Sequence, residues 1–228
     1  MTPNRRDLLI GAAAAGISLP MLSLPAQGAT ATRRFRAYLG SSKAGTQIIS
    51  VSRDGQNVVV TNQTDLVARL LGIPVYRYKL NSREVWRDGM IQAINATGTD
   101  NGRAHFVNAT RTSGGLQVDG SKYKGLVSGN PTTSSFVHSN LINQKTWVST
   151  QTGQPLSVNV AKRGATTFPL PTGSVPCTHY HFSGKLKYPV DAYFAQNGDL
   201  LGYMFEIKGQ RARIISDSAE PAFQPIWG

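Results

Sequence analysis

The chain has 228 residues, a formal net charge of +12 from 24 Lys+Arg against 12 Asp+Glu, and 40% hydrophobic residues. That length allows one large domain or two small ones, with a substantial core. The single cysteine excludes an intrachain disulfide, a multi-cysteine zinc site and a cysteine-ligated iron–sulfur cluster.

The N-terminal segment has the features of a twin-arginine export signal. Arg5-Arg6 precedes an apolar stretch rich in Ala and Gly, and two cleavage sites follow, after Gly28 and after Ala31. No other apolar run reaches the ~18 residues that a membrane span needs, so no transmembrane span is expected after cleavage. We therefore predict residues 1–28 as the signal, and residues 29–228 as a single periplasmic domain.

The positive charge belongs to the predicted mature chain, because loss of Arg5, Arg6 and Asp7 lowers the net charge only from +12 to +11. Basic residues interleave with aromatic ones, as in Tyr76-Arg77-Tyr78-Lys79, a pattern found in nucleic-acid binders. Export removes nucleic acid as a partner, and on a strand the two residue types face opposite ways. A lipid or another anionic component of the cell envelope is the expected partner. The alternative is that the charge only keeps the domain soluble.

Residues 75–87 alternate with a period of two, which predicts a long strand. One face is largely aromatic and apolar, and the other is mostly basic. Thirteen alternating residues are more typical of a large curved sheet than of a small sandwich. The residues of the first face are Tyr76, Tyr78, Leu80, Ser82, Glu84 and Trp86.

Asp-Gly and Asn-Gly turns divide most of the chain into short β-rich runs. Asp88-Gly89, Asn101-Gly102 and Asn197-Gly198 are strong hairpin signals, because the central residues of such turns adopt positive φ. Consecutive hairpins imply an antiparallel meander. The predicted fold class is all-β, a single large curved antiparallel sheet or half-barrel with at most one or two short helices.

Two stretches are predicted to be irregular. Gly129–Gln154 is rich in Ser, Thr, Asn and Pro, and we expect a long connection with a short helix around Ser135–Asn143. Ala161–Pro176 is expected to be a second loop, because Pro169, Pro171 and Pro176 remove backbone donors that regular pairing needs.

Several glycine turns and one strand motif occur in the order found in a known family. They are Ala37-Tyr38-Leu39-Gly40, Ala44-Gly45-Thr46, Ser82-Arg83-Glu84-Val85-Trp86-Arg87-Asp88-Gly89, Thr99-Asp100-Asn101-Gly102 and Phe194-Ala195-Gln196-Asn197-Gly198-Asp199-Leu200-Leu201. The sequence thereby resembles, over residues 35–215, an exported bacterial β family of unknown function. The resemblance implies no activity. The architecture also looks like the curved half-barrels of periplasmic lipoprotein carriers, which is an analogy of fold alone.

The segment Cys177-Thr178-His179-Tyr180-His181 contains the sharpest candidate for chemistry. On a strand, Cys177, His179 and His181 share one face and predict a zinc or copper site. A fourth ligand would come from His138, His105, Asp191 or Glu206. The alternatives are two solvated histidines on an ordinary half-buried strand, or a cysteine nucleophile paired with a histidine.

Glu84 lies on the apolar face of the predicted strand 75–87. A carboxylate there must be paired, hydrogen-bonded or protonated. It could serve as a general base or hold a polar group of a ligand. The structural alternatives are an ion pair with an inward arginine and a hydrogen bond to a tyrosine.

The apolar face of strand 75–87 is the expected binding surface. Tyr76, Tyr78, Leu80, Glu84 and Trp86 are the predicted ligand-binding residues, with Leu66, Ala68 and Leu70 on the neighbouring strand. We predict non-catalytic binding of a lipid-like ligand in the concave face of the sheet. A metal-binding protein or metal-dependent enzyme using Cys177, His179 and His181 is one alternative, and a structural protein of the cell envelope is another. The sequence does not determine the oligomeric state.

Overall fold

A computed structural model describes residues 28–228 except Leu71, Lys208, Pro221 and Gly228. The predicted export signal therefore lies almost wholly outside the described residues. Within them, fifteen strands form one curved, open sheet. Helical structure among the described residues is limited to a 3-10 turn at Ser139–Asn143 and one α-helical turn, α1, at Gln224–Trp227. The predicted fold class is confirmed.

The sheet consists of two meanders. The first contains β1 (Thr30–Leu39), β2 (Ser42–Asp54), β3 (Asn57–Leu70), β4 (Ile73–Arg87), β5 (Met90–Asp100), β6 (Arg103–Thr112), β7 (Gly115–Gly120) and β8 (Tyr123–Ser128). The second contains β9 (Thr132–Thr133), β10 (Thr146–Val148), β11 (Pro155–Leu170), β12 (Gly173–Gly184), β13 (Val190–Ala195), β14 (Leu200–Ile207) and β15 (Gln210–Ser216).

The two meanders meet where the first strand pairs with the last. β1 and β15 are antiparallel neighbours, with Phe35 opposite Ser216 and Leu39 opposite Ala212. The order across the sheet is β8 to β1 followed by β15 to β9. The pairing is antiparallel except between β9 and β10, which run parallel.

The predicted alternation is present in β4. Leu80, Ser82, Glu84 and Trp86 are buried, whereas their neighbours are exposed or half-buried. Because successive side chains of a strand point to opposite faces, one face of this strand faces the core and the other faces solvent. The prediction for residues 75–87 is confirmed.

The Asp88-Gly89 and Asn101-Gly102 turns form as predicted, whereas at Asn197-Gly198 only the glycine has a positive φ, of 87°, because a longer connection of four residues joins β13 to β14. Asp88 and Gly89 have φ angles of 50° and 68°, and Asn101 and Gly102 have φ angles of 53° and 85°. Asparagine, aspartate and glycine tolerate this left-handed region better than other residues, so these pairs join the strands in two-residue turns.

The prediction of a loop at Ala161–Pro176 is wrong. Residues 158–170 of β11 pair with residues 173–184 of β12 in one long hairpin. The prolines are tolerated because they lie where one strand edge has no partner. β13 pairs with β12 only from Cys177 onward, and β10 pairs with β11 only up to Ser157. Pro169 and Pro176 therefore face edges where no ladder donor is required.

The longest irregular connection lies where it was predicted. We call residues 129–154, which contain β9, the 3-10 turn and β10, the crossover segment. It crosses the concave face of the sheet and hydrogen-bonds to β4 through Thr133. Phe136, Leu141 and Trp147 from this segment are buried in the main core. No helix among the described residues is long and apolar enough to cross a membrane.

The end of the chain is held against the sheet by a buried ion pair. Arg33 Nη2 lies 3.4 Å from Asp199 Oδ2, and the two side chains are 3% and 0% exposed. Asp199 also accepts hydrogen bonds from the backbone N–H groups of Ala222, Phe223 and Gln224 at 2.7, 3.1 and 3.0 Å. This carboxylate therefore joins β1 to the C-terminal segment.

Candidate functional site

A cavity of about 660 Å³ lies between the concave face of the sheet and the crossover segment. The strands β1–β4, β14 and β15 supply one wall, and the crossover segment covers the other side. The apolar side chains that line it include Leu66, Leu80, Phe136, Trp147, Leu156, Leu186, Val190, Phe205 and Ile214. The volume lies within the range of about 300–1,000 Å³ that small-molecule sites occupy.

The predicted ligand-binding residues divide into two groups. Tyr76, Tyr78 and Leu80 line the cavity, as do Leu66 and Ala68 of β3. Glu84 and Trp86 do not line it, because they lie further along β4 beneath the crossover segment. The side chain of Leu70 lies outside the described residues. The binding role of all these residues stays a prediction.

A hydrogen-bonded polar network, which the sequence did not reveal, crosses the wall of the cavity. Tyr203 Oη donates to Gln47 Oε1 at 3.1 Å, and Gln47 Nε2 donates to Asn62 Oδ1 at 3.3 Å. Thr64 Oγ1 donates to the same oxygen at 2.9 Å. Burial raises the pKa of Tyr203, so its phenol stays protonated and remains a donor. The network places polar groups in an otherwise apolar chamber.

Two polar groups in the cavity donate no hydrogen bond to any described residue. Asn62 uses only its oxygen in the network, and its amide nitrogen makes no hydrogen bond there. The hydroxyl of Tyr78 likewise has no protein partner within that part of the chain, and burial raises its pKa. Both groups can therefore donate a hydrogen bond to a bound molecule.

Exposed lysines border the mouth of the cavity. Lys187 Nζ lies 2.8 Å from Asp100 Oδ2 and 5.9 Å from the ring centre of Tyr76. Burial alone would raise the pKa of Asp100, but hydrogen bonds from Lys187 and Tyr76 lower it overall. Lys122 and Lys185 also line the mouth and form no ion pair among the described residues. The mouth therefore carries more positive than negative charge.

Glu84 is a fully buried carboxylate at the base of the crossover segment. Its Oε2 accepts hydrogen bonds from Trp86 Nε1 and Thr133 Oγ1, both at 3.0 Å, and from Ser135 Oγ at 3.3 Å. Its Oε1 has no partner among the described residues. Burial raises the pKa of Glu84 to about 7, and the three hydrogen bonds oppose that rise. Among the described residues neither an arginine nor a tyrosine pairs with it, in contrast to the alternatives drawn from the sequence.

We expect the buried carboxyl of Glu84 to make the protein less stable as the pH rises. The folded-state pKa of about 7 exceeds the ordinary value of 4.5. Between these values the folded state binds more protons than the unfolded state, so stability decreases with rising pH. The loss amounts to about 3 kcal/mol above pH 7. Glu84→Gln should remove this dependence, because an amide does not titrate.

Urea unfolding of both proteins at pH 5, 6, 7 and 8 measures this effect. The free energy of unfolding of the wild type, minus that of E84Q, should fall steadily from pH 5 to pH 8. Other titrating groups cancel in this difference. A difference that stays constant across these pH values would contradict the expectation.

The predicted metal residues lie on the outer face of β12, away from the cavity. His179 Nε2 and His181 Nδ1 lie 2.7 and 3.0 Å from the same atom, Asp191 Oδ1. Cys177 is buried in a small apolar cluster with Phe168, Leu170 and Leu201. Phe168 fits there because it packs on Gly202, where a Cβ would lie 2.7 Å from the ring.

This arrangement limits the chemistry of the segment. Burial raises the pKa of the Cys177 thiol, which disfavours the thiolate that a nucleophile or a metal ligand requires. Among the described residues no group of three or more His, Cys, Asp or Glu side chains is placed to hold a metal ion. Asp191 contacts both histidines, whereas His138 stacks on Trp86 at 5.2 Å and His105 bonds to Ser121. The metal site stays a prediction.

The open, curved sheet with an apolar cavity on its concave face defines the class of the molecule, which is a β-barrel-like protein with an internal cavity. Residues 35–217 match the model of a family described as domain of unknown function DUF6134. The chain belongs to this family, and the predicted resemblance to a β family of unknown function is confirmed.

A solved structure with a similar fold is the β-barrel-like protein of domain of unknown function DUF1849 from Brucella abortus. It aligns with a TM-score of 0.55 and 12% sequence identity, over 82% of this chain and 95% of the other. At this identity the similarity concerns the fold alone. A comparison with curated protein sequences found no match.

Proposed function

We propose that this protein is a non-catalytic periplasmic binding protein for an apolar or amphiphilic, lipid-like ligand. The observation that carries the proposal is the cavity of about 660 Å³ with its mainly apolar lining. Transfer of an apolar chain from water into such a chamber is favourable by about 25 cal/mol per Å² of buried apolar surface.

The polar features of the cavity favour an amphiphile over a pure hydrocarbon. An apolar chain would pack against Leu66, Phe136 and Ile214. A carbonyl or hydroxyl oxygen of the ligand would accept a hydrogen bond from the amide nitrogen of Asn62 or from the hydroxyl of Tyr78. An anionic head would lie at the mouth, near Lys122 and Lys185, which form no ion pair within the described part of the chain.

The proposed location depends on the N-terminal segment. The Arg5-Arg6 pair, the apolar stretch that follows it and the two cleavage sites support export by the twin-arginine route. Fractionation of host cells, with the mature N-terminus determined by mass spectrometry, tests this part of the proposal. Recovery of the uncleaved chain in the cytoplasm would contradict it.

Extraction of the native protein tests the ligand. Protein purified from its own host should release about one lipid-like molecule per chain into organic solvent, detected by mass spectrometry. The delipidated protein should bind dansylaminoundecanoic acid, a fluorescent fatty acid, with enhanced and blue-shifted emission. Absence of both an extracted lipid and probe binding would contradict the proposed function.

A further inference from the structure

The hairpin of β3 and β4 projects beyond the rim of the sheet. β2 pairs with β3 only as far as Leu66, and β5 pairs with β4 only from Tyr78 onward. Residues 67–70 and 72–76 therefore lie beyond the ladders with both neighbouring strands, and the four residues 67–70 span about 13 Å at the 3.3 Å rise per residue of a strand. Ala68 and Tyr76 in this hairpin line the cavity, so the projection stands at its mouth. We call residues 67–70 and 72–77 the mouth hairpin.

The mouth hairpin presents apolar side chains to solvent. Ile73 is 66% exposed and Val75 is 47% exposed, the two largest values among the exposed large hydrophobic side chains of the described residues. They lie on either side of Pro74 close to the turn of the hairpin, where a register shift leaves Val75 without a cross-strand partner. Pro74 between them is also exposed. Exposure of adjacent apolar side chains at the end of a projecting element marks a site of interaction.

Positive charge flanks these apolar side chains. Arg69 and Arg77 are exposed on the same hairpin and form no ion pair among the described residues. Lys122 and Lys185 add two further charges at the mouth that no described carboxylate pairs with. The carboxylates close to the hairpin are already paired, Asp65 with Lys79 at 3.1 Å and Asp100 with Lys187 at 2.8 Å.

We propose that the mouth hairpin docks on the surface of an anionic lipid bilayer, inserting Ile73 and Val75 among the lipids while Arg69 and Arg77 contact the headgroups. Insertion of apolar side chains and attraction of basic residues to anionic lipids are the two forces that hold peripheral proteins at membranes. The charge of the hairpin matches such a surface. Docking in this orientation turns the cavity mouth toward the bilayer, so a lipid could enter without crossing water.

Vesicle binding tests the docking surface. The protein should cosediment with vesicles of 70% phosphatidylcholine and 30% phosphatidylglycerol, and about tenfold less with vesicles of phosphatidylcholine alone. Raising the salt from 0.1 to 0.5 M should weaken binding, because ions screen the headgroup charge. The double variant Ile73→Ser, Val75→Ser should bind the anionic vesicles at least fivefold more weakly than the wild type.

A matched control is available at another part of the sheet. Met90 and Leu126 are 39% and 44% exposed, and neither lies on the mouth hairpin. Met90→Ser, Leu126→Ser should bind vesicles as the wild type does. Equal vesicle binding by the Ile73, Val75 variant and the wild type would overturn the proposal, as would absence of wild-type binding to anionic vesicles.

The docking surface can be tested separately from the proposed ligand site in the cavity. The Ile73, Val75 variant should still bind the fluorescent fatty acid, because neither residue lines the cavity. A variant with the cavity filled, Ala37→Trp, should still bind anionic vesicles. If each variant lost both fatty-acid binding and vesicle binding, the docking surface would also be contradicted, because vesicle binding would then depend on the cavity.

Discussion

Asp199→Asn should lower the free energy of unfolding by about 3–5 kcal/mol, which is the cost of removing one partner from a buried ion pair. The Arg33 side chain is 3% exposed, and without the carboxylate its charge stays buried and uncompensated. Burial already lowers the pKa of Arg33, and Asp199 opposes that shift. The same carboxylate accepts hydrogen bonds from three backbone N–H groups of the C-terminal segment. The loss should therefore exceed that of any surface ion pair.

Urea denaturation followed by circular dichroism measures this effect. The matched control is Asp65→Asn, which removes the exposed ion pair between Asp65 and Lys79, whose side chains are 58% and 63% exposed. Exposed pairs contribute about 0–1 kcal/mol, so the control should unfold almost as the wild type does. If D199N lowers the free energy of unfolding by less than about 1 kcal/mol, the ion pair does not hold the C-terminal segment against the sheet.

Filling the cavity should abolish binding of an acyl ligand. Ala37 is 2% exposed and Ala68 is 6% exposed, and both line the cavity, Ala37 on β1 and Ala68 at the mouth. Ala37→Trp places an indole in the space that an acyl chain would occupy. We expect affinity for the fluorescent fatty acid to fall about 100-fold, equivalent to about 2.8 kcal/mol. Ala68→Trp should give the same result from the other position.

The control for these variants is Ala104→Trp. Ala104 is exposed on β6 and does not line the cavity. Thermal unfolding distinguishes lost binding from lost structure, because an overpacked core would also lower the melting temperature. If A37W and A68W both fold and bind the probe with wild-type affinity, the ligand does not occupy the cavity.

The strands could be predicted because their signals are local. Alternation identifies the buried face of β4, and Asp-Gly or Asn-Gly pairs identify the tight turns. The β11–β12 hairpin was missed because proline is disfavoured only where a ladder partner needs its N–H. Whether a strand edge has a partner depends on the neighbouring strands. The presence of Pro169 in the sequence does not predict where those strands end.

The site was less predictable than the fold. Tyr76, Tyr78 and Leu80 reach the cavity because they continue one face of a strand, which alternation reveals. Glu84 and Trp86 share that face but are covered, because the crossover segment lies over this end of the strand. The network of Gln47, Asn62 and Tyr203 joins the hairpin of β2 and β3 to β14, which lies far from them in sequence. No local pattern marks those three residues as neighbours.

The pairing of β1 with β15 restricts when the molecule can fold. Phe35 opposite Ser216 joins positions far apart in the sequence, so β1 lacks one neighbour until β15 has been synthesised. Such long-range closure is slow compared with forming local hairpins. The predicted export signal directly precedes β1, and the twin-arginine route carries chains that have already folded. Under the proposed export by this route, completion of the ladder between β1 and β15 would be the step that makes the precursor ready for export.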